Sequence, residues 1–180
     1  MALTDDAHNL VRTHFENKVK RIAVDATCGN GFDTEFLVEL GFLEVHAFDI
    51  QNAALSNTKN RLSDKTAKSV ELHLASHDRI TEFVNDKIDC IMFNFGYLPG
   101  GDKNITTNAN TSVKALEKAS KLLHSGGLIS LICYPGHPSG ALETKAIKTW
   151  FKNLNSFSIE THLAASPKPS APILYQLTKT

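Results

Sequence analysis

Within ten residues near the start of the chain lie two carboxylates and two glycines: Asp25-Ala-Thr-Cys-Gly-Asn-Gly31, then Asp33 and Thr34. Glycines at 29 and 31 let the backbone turn tightly and approach a ligand, where a Cβ would stand in the way. A dinucleotide fingerprint would carry a third glycine at position 34 and receive a pyrophosphate at the helix start. Here position 34 is Thr and position 33 is acidic. An acidic first turn repels pyrophosphate and suits a ligand bearing an ammonium or sulfonium group. The glycine turn alone fits an ordinary strand–helix junction equally well. The carboxylates around it, Asp25, Asp33 and Asp49, favour a nucleotide-bearing cation.

Asp49 follows Gly31 by 18 residues, about the interval at which an acidic residue reaches ribose hydroxyls. The plainer alternative is a solvated strand-end carboxylate. His77 and Asp78 follow a third apolar run, where a side chain can meet an adenine edge. This is the chemistry of S-adenosylmethionine, an amino acid joined through S⁺ to adenosine.

A second group follows a fourth apolar run: Phe93-Asn-Phe-Gly-Tyr-Leu-Pro-Gly-Gly-Asp-Lys103. Asn94 and Tyr97 have the spacing of the Asn-Pro-Pro-Tyr signature of amine-directed methyltransferases, with Phe95 and Gly96 in place of the prolines. An Asn carbonyl can accept from an amine and aim its lone pair, and an aromatic ring can stack on a flat base. The alternative is that Asn94 ends the strand and Tyr97 packs the loop. Gly100, Gly101, Asp102 and Lys103 read as a polar loop able to close on a substrate, although an exposed Lys is usually only solvated. His137 stands at the same rim after a fifth run, as a substrate contact or, more commonly for a lone His, a structural one. One histidine there, without clustered Cys or carboxylates, supports no metal site.

The elements that must position these groups alternate. Apolar runs at 21–27, 44–50, 70–75, 88–94 and 128–134 are separated by helical patterns at 33–40, 52–62, 111–123 and 141–154. Gly41 is a C-terminal cap and Asn52 an N-terminal one. Gly126-Gly127 separates the third helix from the fifth strand. Two last strands, about 157–164 and 173–178, flank a Pro-rich loop too short for a crossover helix, so they form a hairpin. The expectation is one α/β domain over residues 1–180: a Rossmann-like, seven-stranded, mostly parallel sheet with an antiparallel last strand and helices on both faces.

Nineteen basic and nineteen acidic residues in 180 exclude a charged disordered chain and a uniformly basic nucleic-acid binder. The balance hides a split. Residues 1–100 carry ten basic and fifteen acidic residues, and 101–180 carry nine and four. The second part, with Lys103, Lys145, Lys148, Lys152 and Lys168, is a candidate RNA-facing patch. No apolar window is long enough for a membrane helix. Three cysteines without a Cys-x-x-Cys pair point to a reducing, cytoplasmic location. Trp150 and Phe151 are assigned to the core, a homodimer contact being the alternative.

The strings Asp25-Ala-Thr-x-Gly-Asn-Gly31, Asp33-Thr34, Ala47-Phe-Asp-Ile-Gln51, Phe93-Asn-x-Gly-Tyr-Leu-Pro-Gly-Gly-Asp-Lys103 and Tyr134-x-Gly-His-Pro138 resemble the YtqB/MnmM-like rRNA methylase family over nearly the whole chain. The resemblance implies a class I methyltransferase fold, S-adenosylmethionine as donor and S-adenosylhomocysteine as product. It further implies methylation of the primary amine of 5-aminomethyl-2-thiouridine in the tRNA anticodon region. Carried onto this chain, it assigns cofactor contacts to Asp25, Thr27, Gly29, Asn30, Gly31, Asp33, Thr34, Asp49, Ile50, Gln51, His77, Asp78 and Asn94. Catalytic roles fall on Asn94 and Tyr97, and substrate contacts on Tyr97, Gly100, Gly101, Asp102, Lys103 and His137. Two stretches depart from the family. Ala165-Ser-Pro-Lys-Pro-Ser-Ala-Pro172 replaces an Asn/Pro-rich loop, and His77-Asp78 replaces His-Glu. Methylation of rRNA or of a small molecule, and a non-catalytic cofactor- and RNA-binding protein, are the competing functions.

Overall fold

The computed structural model describes residues 3–63, 66–102, 104–163, 168 and 170–180. Seven strands form one sheet: β1 (Ile22–Asp25), β2 (Glu44–Asp49), β3 (Val70–Leu74), β4 (Ile88–Asn94), β5 (Leu123–Cys133), β6 (Phe157–Leu163) and β7 (Ile173–Lys179). Their order is β3-β2-β1-β4-β5-β7-β6. The first five are parallel, and β7 runs antiparallel to both β5 and β6. The expected sheet, with its reversed last strand, is the observed one.

Central strands read as continuous apolar runs because helices cover both faces. In β4 all but the last of seven residues are buried. One face holds Val24, Phe48, Ile91, Phe93 and Leu131 beneath α4 (Ala109–Leu122) and α5 (Pro138–Phe151). The other holds Ala23, Val45, Cys90, Met92 and Ile132, covered by α2 (Phe32–Glu39) and the N-terminal α1 (Leu3–His14). Trp150 is buried in the first core and Phe151 packs against it, so these rings serve the fold. All three cysteines are free and buried. Among the described residues no helix is long and apolar enough to cross a membrane.

Several boundaries differ from expectation, each for a local reason. Helix α1 was not anticipated, although Asp5 and Asp6 in its first turn and Arg12 and His14 in its last complement the helix dipole. Its Ala7 and Val11, with Phe15 just beyond, are buried at a four-residue interval. Helix α3 (Asn52–Arg61) is capped by Gln51, so Asn52 is its first residue and not its cap. Helix α4 starts early because the Asn108 side chain accepts from the backbone N–H groups of Asn110 and Thr111. Strand β5 begins at Leu123, and Gly126-Gly127 lie within it. Gly126, at φ +83°, forms a bulge where the register against β4 shifts. Gly41, at φ +97°, ends α2 as expected.

Candidate functional site

The strand order reverses around β1 and β4, and the ends of β1, β2, β4 and β5 meet there, the usual ligand position in open α/β sheets. Asp25 ends β1 with no exposure to solvent. Thr34 Oγ1 donates to its Oδ2 across 2.6 Å, and the Thr27 N–H donates to Oδ1 across 3.2 Å. Burial raises the Asp25 pKa, and the nearby charge of Asp33 raises it further. Asp33 in turn accepts from His8 Nε2 at 2.6 Å, and the His8 ring lies flat on Phe36 at 3.9 Å. Helix α1, missed in the sequence, therefore supplies a partner to a carboxylate read as facing a ligand.

The turn after β1 runs through Gly29 at φ +51° and Gly31 at φ +82°. Both need glycine for the turn, as expected. The close approach at Gly31 is made by the protein itself, however: an added Cβ would stand 2.8 Å from Thr58 Cα in α3. Helix α3 fastens this turn. Asn57 donates to Asn30 Oδ1 (2.9 Å), and Arg61 Nε donates to the Asn30 carbonyl (2.7 Å). The Arg61 guanidinium also covers the Phe32 ring at 3.6 Å. Asn30 Nδ2 reaches the Pro99 carbonyl at 3.3 Å, tying the turn to the loop after β4.

Asp49 ends β2 and is held by two backbone donors, Gly29 N–H at 3.1 Å and Gln51 N–H at 2.9 Å. Burial raises its pKa against these bonds. Ile50 beside it is 57% exposed, an apolar side chain left uncovered at the rim. His77, after β3, is buried. Burial lowers its pKa to about 4, with Asp78 and the Ala26 backbone pulling the other way. Its Nε2 is buried without a hydrogen-bond partner among the described residues. The neighbouring Asp78 is marked by a bond from Lys118 Nζ to its carbonyl oxygen.

Asn94 ends β4. Its N–H donates to Thr27 Oγ1 at 2.7 Å, which bolts the ends of β1 and β4 together. Its side-chain Oδ1 accepts from the Tyr134 hydroxyl at 2.9 Å, from the end of β5. Tyr97 is 43% exposed and forms an antiparallel bridge with Thr106. Gly96 and Thr107 pair at the base of the loop after β4, where Gly96 N–H donates to Thr107 Oγ1 and Thr107 N–H to the Gly96 carbonyl.

Beneath the loop, Glu143 of α5 accepts from Thr107 Oγ1 at 3.1 Å and from Ser112 Oγ at 2.6 Å. Burial raises the Glu143 pKa. Neither Glu143 nor the role of Tyr134 carried a sequence signal, because each partner lies more than thirty residues away.

Not every expected contact converges here. His137 Nδ1 accepts from the Gly140 N–H at 3.1 Å and caps α5, which spends that nitrogen on structure. Asp102 Oδ1 accepts from the Asn104 backbone and side chain, forming a local turn. Gly100 has φ +85° with nothing among the described residues within 4 Å of an added Cβ, while Gly101 packs on Leu98. Lys103, and Ser166, Pro167 and Pro169 of the Pro-rich loop, lie outside the described residues.

The geometry has close counterparts among known proteins. A solved structure described as a putative rRNA methylase from Clostridium thermocellum superposes with a TM-score of 0.91 at 33% identity, covering 98% of this chain and 97% of the other. A putative methyltransferase from Streptococcus mutans, solved in complex with SAH, gives 0.84 at 30% identity, with 96% and 97% coverage. These neighbours share the class I methyltransferase fold. Among curated proteins, the chloroplastic tRNA (mnm(5)s(2)U34)-methyltransferase of Arabidopsis thaliana is 35% identical over 170 residues, 87% of this chain. The chain spans 62% of that relative's length. The family model described as "Putative rRNA methylase" matches residues 45–177, from β2 through β7, and the chain belongs to that family.

Proposed function

We propose that this protein is an S-adenosylmethionine-dependent methyltransferase acting on an amine of RNA. Its most specific substrate in this reading is the primary amine of 5-aminomethyl-2-thiouridine at the tRNA wobble position. The observation that carries the proposal is the placement of Asn94 Oδ1, an acceptor oriented by Tyr134 beside an acidic turn. The 35% identical relative named for wobble-uridine methylation supports the substrate.

The residues fit the cofactor. Asp25 and Asp33 crowd negative charge where an ammonium and a sulfonium would relieve it. Each Asp49 oxygen accepts one backbone N–H, which leaves lone pairs for ribose hydroxyls. The buried His77 Nε2, without a partner among the described residues, is an acceptor for an adenine amino group, and Ile50 offers an apolar cover. Thr27, Asn30, Thr34 and Gln51 act by holding this frame. When bound, the cofactor supplies an electrophilic methyl group on a cationic leaving group.

The chain's own contribution is positioning. Asn94 Oδ1 accepts an N–H of the substrate amine and turns the nitrogen lone pair inward, while Tyr134 keeps the amide from rotating. Tyr97 stacks on the base, worth about 1–3 kcal/mol. No strong base is required, since a neutral amine releases its proton after attack. Holding the reactants in near-attack geometry then provides most of the rate.

Exposed Lys145 and Lys148 on α5, with Lys152 at its C-terminal cap, give a modest cationic face for phosphates, with salt-sensitive binding. Helix α5 is about 20 Å long, so Lys152 lies at its far end from the site. The family description favours rRNA as the second reading. Nucleoside mass spectrometry of tRNA and rRNA from cells with and without the protein separates the two. Loss of the methylated wobble nucleoside is expected, and an unchanged tRNA profile would overturn the tRNA assignment.

A further inference from the structure

On the outer edge of the sheet, parallel register sets His46 opposite Glu71 and Phe48 opposite His73. Registered partners share a face and alternate residues return to it, so Glu44, His46, Glu71 and His73 all face one side. Asp49, three residues beyond His46, belongs to the other side. His46 Nδ1 and His73 Nε2 stand 2.9 Å apart, and Glu71 Oε2 lies 3.7 Å from the first and 4.0 Å from the second. The remaining His46 nitrogen, Nε2, donates to Glu44 Oε1 at 2.7 Å. With Nε2 so engaged, Nδ1 is the His46 nitrogen that faces His73. The His73 ring is held between Phe48 and Phe83, with centroids at 4.6 and 4.7 Å.

We propose that His46, Glu71 and His73 bind a divalent transition-metal ion of the Zn²⁺ type at the β2–β3 edge, apart from the methyl-transfer site. Bonds of about 2.0–2.1 Å in tetrahedral geometry put neighbouring donors about 3.3 Å apart. The three observed separations bracket that value, and the Glu71 side chain, 63% exposed, is free to close the longer two. Glu44 supplies the carboxylate behind a ligating histidine that orients the ring and raises its basicity. Two imidazoles and one carboxylate select Zn²⁺, Ni²⁺ or Cu²⁺ over the oxygen-seeking Mg²⁺ and Ca²⁺. Of the three ligands only Glu71 is exposed, so its side is the ion's way in and the place where water takes the fourth position. Among the described residues strand β3 has a neighbour on one side only, so the ion would clasp the edge strand to β2. Glu71-x-His73 alone is too short to announce a site, and His46 lies 25 residues upstream.

Full-length protein stripped with a chelator and titrated with ZnCl₂ against a chromogenic competitor tests the site. One Zn²⁺ per chain at micromolar affinity is expected, with MgCl₂ failing to compete. Zinc at about a hundredfold over Kd should raise Tm by about 5 °C. Co²⁺ in its place should give the intense visible bands of a four-coordinate ion. His73→Asn and Glu71→Gln, both at the edge, should lower zinc affinity at least tenfold and abolish the cobalt bands, while their metal-free Tm shows that they fold. Unaltered zinc affinity in His73→Asn, or no stoichiometric binding below millimolar zinc, overturns the site and leaves His46 and His73 as a hydrogen-bonded pair.

Discussion

The Tyr134 hydroxyl donates to Oδ1 of Asn94 across 2.9 Å, joining the end of β5 to the end of β4. An amide can present its oxygen or its nitrogen to a substrate, and this bond selects the oxygen. Burial raises the Tyr134 pKa, so the phenol stays a donor through the physiological range. Tyr134→Phe keeps the ring and removes the donor. Single-turnover assays should show methyl transfer slowed about tenfold or more, with cofactor affinity and Tm nearly unchanged. Asn94→Ala should abolish transfer while cofactor still binds. Full turnover by Asn94→Ala would end the amine-positioning role.

Asp49 receives Gly29 and Gln51 N–H groups, and it is the carboxylate assigned to the ribose. Asp49→Ala should weaken S-adenosylmethionine binding by more than tenfold, a loss of about 1.4 kcal/mol or more. Calorimetry on a variant shown by circular dichroism to be folded measures this. Unchanged affinity would remove the ribose role.

Most of the sheet was legible because its signals are local. β4 is a continuous apolar run, and Gly41 ends α2 within one turn. The strand-end residues Asp25, Asp49 and Asn94 were legible because position within a strand fixes which end of the sheet they reach. What the sequence hid was pairing over distance. His8 meets Asp33 across 25 residues, Glu143 meets Ser112 across 31, and Tyr134 meets Asn94 across 40. Nothing in the local pattern around His8 or Glu143 separates a site-bracing side chain from a solvated one. His137 shows the converse: its place after a strand leaves a substrate contact and the commoner structural role both open, and the same place is the start of a helix, which its ring caps.

Gly31 and Gly100 have nearly the same backbone, at φ +82° and +85°, but different surroundings. Alanine at either adopts a left-handed conformation costing about 1–2 kcal/mol. At Gly100 nothing among the described residues lies within 4 Å of the new methyl, whereas at Gly31 it meets the Thr58 backbone at 2.8 Å. Urea melts should show Gly100→Ala losing only the conformational cost. Gly31→Ala should lose at least about 1 kcal/mol more, with overpacking the cause. Equal losses at the two positions would mean that α3 yields to the methyl, and that Gly31 serves the turn alone.

His77 gives the free protein an acid sensitivity of known sign. In the unfolded chain its imidazole takes up a proton near pH 6.5, while in the folded chain burial delays this to about pH 4. Between those values the unfolded state binds more protons, so stability falls as pH falls. The contribution is complete above pH 6.5 and is lost by pH 4, amounting to about 3 kcal/mol. His14 and His73 are shifted the same way, and Glu143 the opposite way, so the quantity to measure is a difference. Denaturant melts of wild type and His77→Gln should diverge at neutral pH and converge toward pH 4. A constant gap across that range would show that His77 titrates normally and that its Nε2 is not held dry, which would also remove its role as a neutral acceptor for adenine.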